Sequence, residues 1–263
     1  MAADILTEIM DVKRRRVASA RALVSLETLK SKVGELNSRG RTLSATLLND
    51  SRVNIIAEFK RRSPSKGIIR ADAEPTSLAR AYERGGAVAV SVLTEEDFFD
   101  GSLGDLEAVR QAVNLPILRK DFVFDEYQVW ESAAAGADAV LLIVAALSDD
   151  ELYSLRQLAE DQLGLDALVE AHSSEELKRA LAAGAKMIGV NNRNLRNFDV
   201  SLDVSAQLAS EVPPGIILVS ESGLSTSDDL SRLHKLGYRG FLIGESLMRA
   251  DNPEQLLRSL VSA

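Results

Sequence analysis

The sequence predicts an α/β chain folded as a (β/α)8 TIM barrel with an extra N-terminal helical segment. Three observations carry the prediction. From residue 54 onward, eight short β-branched runs alternate with longer stretches of helical spacing, at 54–59, 87–93, 116–120, 139–144, 167–170, 187–190, 216–220 and 240–243. These runs are apolar nearly throughout, as parallel strands buried on both faces are. The helix-to-strand joints also repeat a glycine, in Gly85-Gly86-Ala87, Gly136-Ala137, Gly184-Ala185 and Gly237-Tyr238. A glycine suits the left-handed residue just past a helix C-terminus. The length of 263 residues suits one barrel, which takes about 250. An open doubly wound sheet is the alternative, and eight units of this regularity favour closure.

The elements follow in order. Residues 1–53 stand outside the repeat and form a helical extension packed on the barrel; residues 54–263 form the barrel, and the whole is a single domain. Ile5, Ile9, Val12 and Arg16 share one helical face, with Leu6 beside them. The run Lys13-Arg14-Arg15-Arg16 reads as a solvated face, with attraction of an anionic substrate as the alternative. Within the repeat, helical spacing marks 76–84, 149–163, 174–183 and 227–236.

Composition narrows the function. The formal charge of −8 gives no general attraction for phosphate backbones, so non-specific nucleic-acid binding is not expected. Any anion must be held by a local positive site. There are no cysteines, which removes thiolate chemistry, and only two histidines, which disfavours a histidine metal centre. No stretch reaches the roughly 20 apolar residues that span a bilayer, and no signal segment leads the chain. The expected setting is cytoplasmic, without membrane contact, and a monomer is compatible with the sequence.

Barrel active sites gather at the C-terminal strand ends, where alternate residues face inward. The first strand ends Ile56-Ala57-Glu58-Phe59-Lys60, placing Glu58 and Lys60 on one face. They form either a salt bridge filling the barrel top or a functional pair. The third run ends in Lys120 and the fifth in Glu170, which adds two further charges to the same mouth. Crowding shifts pKa values, and Arg61, Arg62 and Arg193 nearby are expected to lower the lysines. His172 reads as an exposed loop histidine. Asn191-Asn192-Arg193-Asn194 suits hydroxyl, carboxylate or phosphate recognition, or else an asparagine-stabilised turn. Ser220-Glu221-Ser222-Gly223 and Gly244-Glu245-Ser246 occupy the seventh and eighth loops, where barrels build phosphate sites. The basic turn Arg61-Arg62-Ser63-Pro64-Ser65-Lys66-Gly67 either closes over the same anion or is a mobile surface loop. Phe99, Phe122, Leu141 and Leu195 are candidates for holding an aromatic ring.

Together these residues resemble a known family. The segment from Ile56 to Ser65, with Leu118-Arg119-Lys120-Asp121-Phe122, Leu168-Val169-Glu170, Gly189-Val190-Asn191-Asn192-Arg193-Asn194-Leu195, Ser220-Glu221-Ser222-Gly223 and Leu242-Ile243-Gly244-Glu245-Ser246, is similar to the signature segments of the indole-3-glycerol phosphate synthases. The resemblance implies a carboxy-lyase of tryptophan biosynthesis that uses no metal or organic cofactor. Its substrate would be 1-(2-carboxyphenylamino)-1-deoxyribulose 5-phosphate, closed to a ring with loss of CO2 and then water. It further implies Lys120 as general acid, Glu170 as base or proton shuttle supported by Glu58, and Lys60 paired with the substrate carboxylate. Asn191 and Ser222 would orient the substrate. Ser63, Arg193, Gly223, Gly244 and Glu245 would bind its phosphate, the last three through backbone N–H groups. A sugar-phosphate isomerase of similar build and a non-catalytic barrel are the competing readings.

Overall fold

The computed structural model describes residues 5–35, 41–49, 53–194 and 199–261. Eight parallel strands close into a barrel in chain order: Ile55–Phe59, Ala89–Leu93, Ile117–Lys120, Ala139–Ile143, Asp166–Ala171, Met187–Asn191, Ile217–Glu221 and Tyr238–Ile243. The seam is the first strand, where Ile56 lies opposite Ala89 on one side and Leu242 on the other.

Period-two alternation sorts each strand between two apolar layers. Ile56, Leu118, Leu168, Met187, Val219 and Leu242 fill the barrel interior. Ile55, Ala57, Phe59, Ile117, Val169, Ile188 and Phe241 pack outward on the helices. The parity carries through to the strand ends, so Glu58, Lys120, Glu170, Asn191 and Glu221 continue the inward rows. Helices Pro75–Gly85 and Glu126–Ala135 end at Gly86 (φ 94°) and Gly136 (φ 92°), the left-handed caps expected from the repeated glycine. The helix expected over 149–163 is α-helical only over Asp149–Gln157 and widens into a π-turn over Leu158–Gln162. There Leu163 N–H reaches back to the Leu158 carbonyl at 3.1 Å.

The segment before the barrel grips both of its ends. Helix Leu43–Leu47, N-capped by Thr42, pushes fully buried Leu43 and Leu47 into the bottom of the barrel interior. Ser44 fastens it to Asp166, at the start of the fifth strand, through N–H and hydroxyl bonds of 2.8 and 2.9 Å. Helix Ile5–Leu23 crosses the opposite, C-terminal mouth. Its buried residues are Ile9, Met10, Lys13 and Val17, so the face is rotated from the one expected, and Arg16 is exposed. Lys13 is a correction: it is buried rather than solvated. It lies 2.9 Å from Asp121 of the third loop and 2.7 Å from Glu96 of the second. Arg16 pairs with Asp97 and Arg21 with Asp125, extending the seam of ion pairs along the helix. Among the described residues, no helix is long and apolar enough to cross a membrane.

Candidate active site

Four alternate strands, the first, third, fifth and seventh, deliver charge to the mouth. Residues from alternate strands form one layer across a barrel of this kind, so these groups meet. Lys120 Nζ lies 3.1 Å from Glu170 Oε2 and 2.9 Å from Glu221 Oε2. Glu58 pairs with Lys60 in the same cleft. Glu58, Glu170 and Glu221 are all buried.

Two glycines make the arrangement possible. A Cβ at Gly189 would overlap Glu221 Oε1 and lie 3.3 Å from its Cδ. A Cβ at Gly244 would overlap Glu58 Oε1 and lie 2.9 Å from its Cδ. Each carboxylate thus occupies the space a side chain would take, on the neighbouring strand at Gly189 and just past it at Gly244.

The electrostatics separate the two carboxyls that pair with Lys120. Burial alone would lower Lys120, but Glu221, Glu170 and Glu58 outweigh it and hold the ammonium above its ordinary value. The expected lowering by nearby arginines is therefore corrected. Arg61 turns away, bonds Asp105 at 2.7 and 2.8 Å and lies over the Phe59 ring, and Arg62 is exposed. Burial pushes Glu221 up to about 7, with Glu170 adding to the rise and Lys120 opposing it. Burial also works on Glu170, but Lys120, His172 and a hydrogen bond from Asn191 prevail and leave it below the usual carboxylate range. Two carboxyls on one lysine are driven apart, which is how acid and base roles are divided.

The cleft around these groups has a volume of about 590 Å³, within the usual range for a small-molecule site. Ser63, Arg193, Ser222, Gly223, Gly244 and Glu245 line one side. Ser63 stands in a short antiparallel hairpin, Arg62–Ser63 against Gly67–Ile68, and Lys66 at its tip lies 3.8 Å from Glu245. Ser222 holds a left-handed backbone at φ 66°, uncommon for a residue with a Cβ. Ser246 also lines this side, and its buried Oγ has no partner among the described residues. On the other side Phe99 and Phe122 tilt toward each other with centroids 6.1 Å apart, and Leu141 completes the wall. Leu195 lies outside the described residues. The roof, which the sequence reading did not foresee as cleft lining, is Ile5, Leu6 and Ile9 of the first helix.

Two further groups depart from expectation. Glu221 was not singled out, although it ends an apolar run as Glu170 does. His172 is half-buried rather than exposed; its Nε2 lies 3.3 Å from Glu170 Oε1 and its Nδ1 3.2 Å from Glu176. Among the described residues one acidic trio, Glu95, Glu96 and Asp97, has metal-ligand spacing. Its members are already engaged: Lys13 holds Glu96, Arg16 holds Asp97, and Glu95 accepts the N–H groups of Asp97, Phe98 and Phe99. The trio organises the loop that presents Phe99.

Residues 6–260 match the sequence model of the family described as indole-3-glycerol phosphate synthase. Relatives of that name include one from Carboxydothermus hydrogenoformans, 45% identical with 98% of this chain and 99% of the other covered. One from Desulfosudis oleivorans is 46% identical, with 99% of each covered. One from Streptomyces griseus is 47% identical, with 98% and 95% covered. Among solved structures, a thiamine phosphate pyrophosphorylase from Pyrococcus furiosus superposes with a TM-score of 0.60 at 19% identity, over 79% of this chain and 93% of its own. KGPDC from Streptococcus mutans superposes at 0.62 and 16%, over 80% and 96%. Both are similar in fold alone.

Proposed function

The chain belongs to the indole-3-glycerol phosphate synthase family, and from that premise we propose that its mouth closes, decarboxylates and dehydrates the carboxyphenylamino deoxyribulose phosphate, with Lys120 as general acid and Glu170 as base. The observation that carries this reading is the position of Lys120 between two carboxyls, one held below and the other above the ordinary carboxylate value.

The first difficulty of the reaction is loss of aromaticity as the ring carbon attacks the ketone. Negative charge grows on the ketone oxygen, and a buried, protonated Lys120 is placed to stabilise it and then donate. Glu221, near half-protonated at neutral pH, can return a proton to the lysine. Lys60 pairs with the substrate carboxylate until CO2 leaves, then donates to the departing hydroxyl. Loss of CO2 itself returns the electron pair that restores the aryl ring, and Glu170 then accepts the proton that the new five-membered ring gives up as the hydroxyl leaves as water, with Glu58 in support. Asn191 and Ser222 orient the sugar chain.

The phosphate falls to Ser63, Arg193 and the backbone N–H groups of Gly223, Gly244 and Glu245. The partnerless Ser246 hydroxyl supports an anion on that side. Phe99, Phe122 and Leu141 take the aryl ring. Held at both ends, the substrate is pressed toward a reactive geometry with binding energy remote from the bond being made. The test mixes the purified protein with this substrate and follows indole fluorescence. A steady rise is expected. Its absence would favour a sugar-phosphate isomerase or a non-catalytic barrel.

A further inference from the structure

His172 follows the fifth strand directly, one residue beyond Ala171. Glu176, in the first turn of helix Ser174–Ala182, holds it twice: one carboxylate oxygen accepts the His172 backbone N–H at 2.7 Å and faces ring Nδ1 at 3.2 Å. Because an ionised carboxylate only accepts, Nδ1 carries a proton. The ring is thereby fixed with Nε2 pointing back into the barrel. There Nε2 is buried, makes no hydrogen bond among the described residues, and faces Glu170 Oε1 at 3.3 Å as an ion pair.

The two oxygens of Glu170 are thus addressed from opposite sides. Oε2 faces Lys120, and Oε1 faces His172. Glu170 lines the cleft, whereas His172 and Glu176 do not. The imidazole stands behind the carboxylate, out of reach of a substrate. The charged groups around it are Glu170 on its own strand, Glu176 on the following helix and Glu221 on the seventh strand, with Lys120 on the far side of Glu170. Three of these four are acidic. A ring nitrogen facing a carboxylate in such surroundings favours the imidazolium, and neutral Nε2 would turn a lone pair toward Oε1.

We propose that His172, clamped by Glu176, is a positioning residue for Glu170: as an imidazolium it fixes Oε1, keeps the second oxygen toward Lys120 and the cleft, and sets an alkaline limit on turnover. The proposal rests on the reading of Glu170 as base. Burial works against the charged ring, and the Glu176 hydrogen bond and Glu170 outweigh it, which raises His172 and agrees with that geometry.

The measurement is the single-turnover rate of indole formation against pH for His172→Leu, His172→Gln and Glu170→Gln. His172→Leu removes the cation facing Oε1 and is expected to slow the step by about tenfold or more, as loss of a close buried charge partner does. KM should move by less than about threefold, since no substrate contact is lost. His172→Gln keeps a polar N–H toward Oε1 without a titrating charge; it should recover part of the rate and lose the part of the alkaline limb that His172 sets, leaving the part set by Glu221. The chain has only two histidines, so NMR of the imidazoles reads His172 titration in the folded wild type directly. That titration should coincide with the part of the wild-type limb that His172→Gln loses, a check that stands even if His172→Leu fails to fold. A wild-type rate in His172→Leu, or an unchanged alkaline limb in His172→Gln, overturns the proposal. A fully active Glu170→Gln instead overturns the reading of Glu170 itself.

Discussion

Gly189→Ala is expected to damage activity while sparing stability, the reverse of what a strand substitution usually does. Gly189 lies in the sixth strand with ordinary strand geometry, so alanine there is not strained and should even stiffen the unfolded chain, by about 0.4–1 kcal/mol. Its methyl, however, would enter the space of Glu221 Oε1, with Leu168 Cδ1 3.4 Å away on the other side. Restoring a normal contact requires the carboxylate to retreat by roughly 1 Å. The Lys120–Glu221 separation would then grow from 2.9 Å to about 4 Å. At an effective dielectric of about 20 this weakens the attraction by about 1.5 kcal/mol, or about tenfold in rate if all of it is felt in the transition state. Misplacement of a catalytic group by ~1 Å can reach ~10²-fold. The single-turnover rate is therefore expected to fall between tenfold and a hundredfold, with a melting temperature within about 3 °C of the wild type. A rate within twofold of wild type would refute the idea that Gly189 is there to seat Glu221.

Three other outcomes follow from the same geometry. Lys120→Ala should abolish indole formation while substrate binding, followed by calorimetry, weakens only modestly, because the proposed phosphate and aryl contacts remain. Glu221→Gln should slow turnover yet raise the melting temperature at pH 8. Its carboxyl is pushed up to about 7 in the fold, above an unfolded value near ~4.3, so the native state binds the extra proton and stability falls as pH rises between the two. Scanning calorimetry of both forms at pH 5 and pH 8 checks it: a gain at pH 8 that shrinks at pH 5 is the expected signature. Lys13→Met removes a cation from buried Asp121, at a cost of about 3 kcal/mol and roughly 6–12 °C of melting temperature. Burial works against the Asp121 carboxylate, but Lys13 and Arg119 hold it well below its usual range. Its contribution is present above about pH 4 and is lost as pH falls through the folded value. The gap between Lys13→Met and wild type should accordingly close in acid; a gap that stays constant down to pH 2 would argue against the ion pair.

What the sequence disclosed follows its periodicities. Period-two alternation needs only neighbouring residues, so Glu58, Lys60, Lys120 and Glu170 could be aimed at the mouth from their strands alone. Glu221 escapes because the apolar run of its strand stops at Ser220, whereas the strand continues one residue further, which moves Glu221 from loop to inward row. Lys13 escaped for a different reason. A run of four cations looks solvated until their partners are known, and Glu96 is 83 residues away in the chain. The arginines that were expected to depress the lysines were judged by closeness in sequence, yet Arg61 pairs with Asp105 on the outside of the barrel. His172, which reads as an exposed loop histidine, was legible in its spacing. Its spacing to Glu176, one helical turn, announced a clamp, and only the helix start at Ser174 makes that clamp close.

The plug at the bottom of the barrel also bears on how the chain comes off the ribosome. Leu47 packs beneath Gly240, and Asn54 donates at 3.1, 3.0 and 3.0 Å to the carbonyls of Leu47, Asn49 and Arg239, the last of them 185 residues downstream. The apolar face of Leu43 and Leu47 and one edge of the first strand therefore stay uncovered until the eighth strand is made. At about 5–20 residues per second that interval lasts roughly 10–40 s. Closing so late, over so long a loop, is a high-contact-order event. The nascent chain must hold a greasy, hydrogen-bond-hungry margin open all that time, and this margin is where chaperone capture or mispairing between neighbouring chains should first be sought.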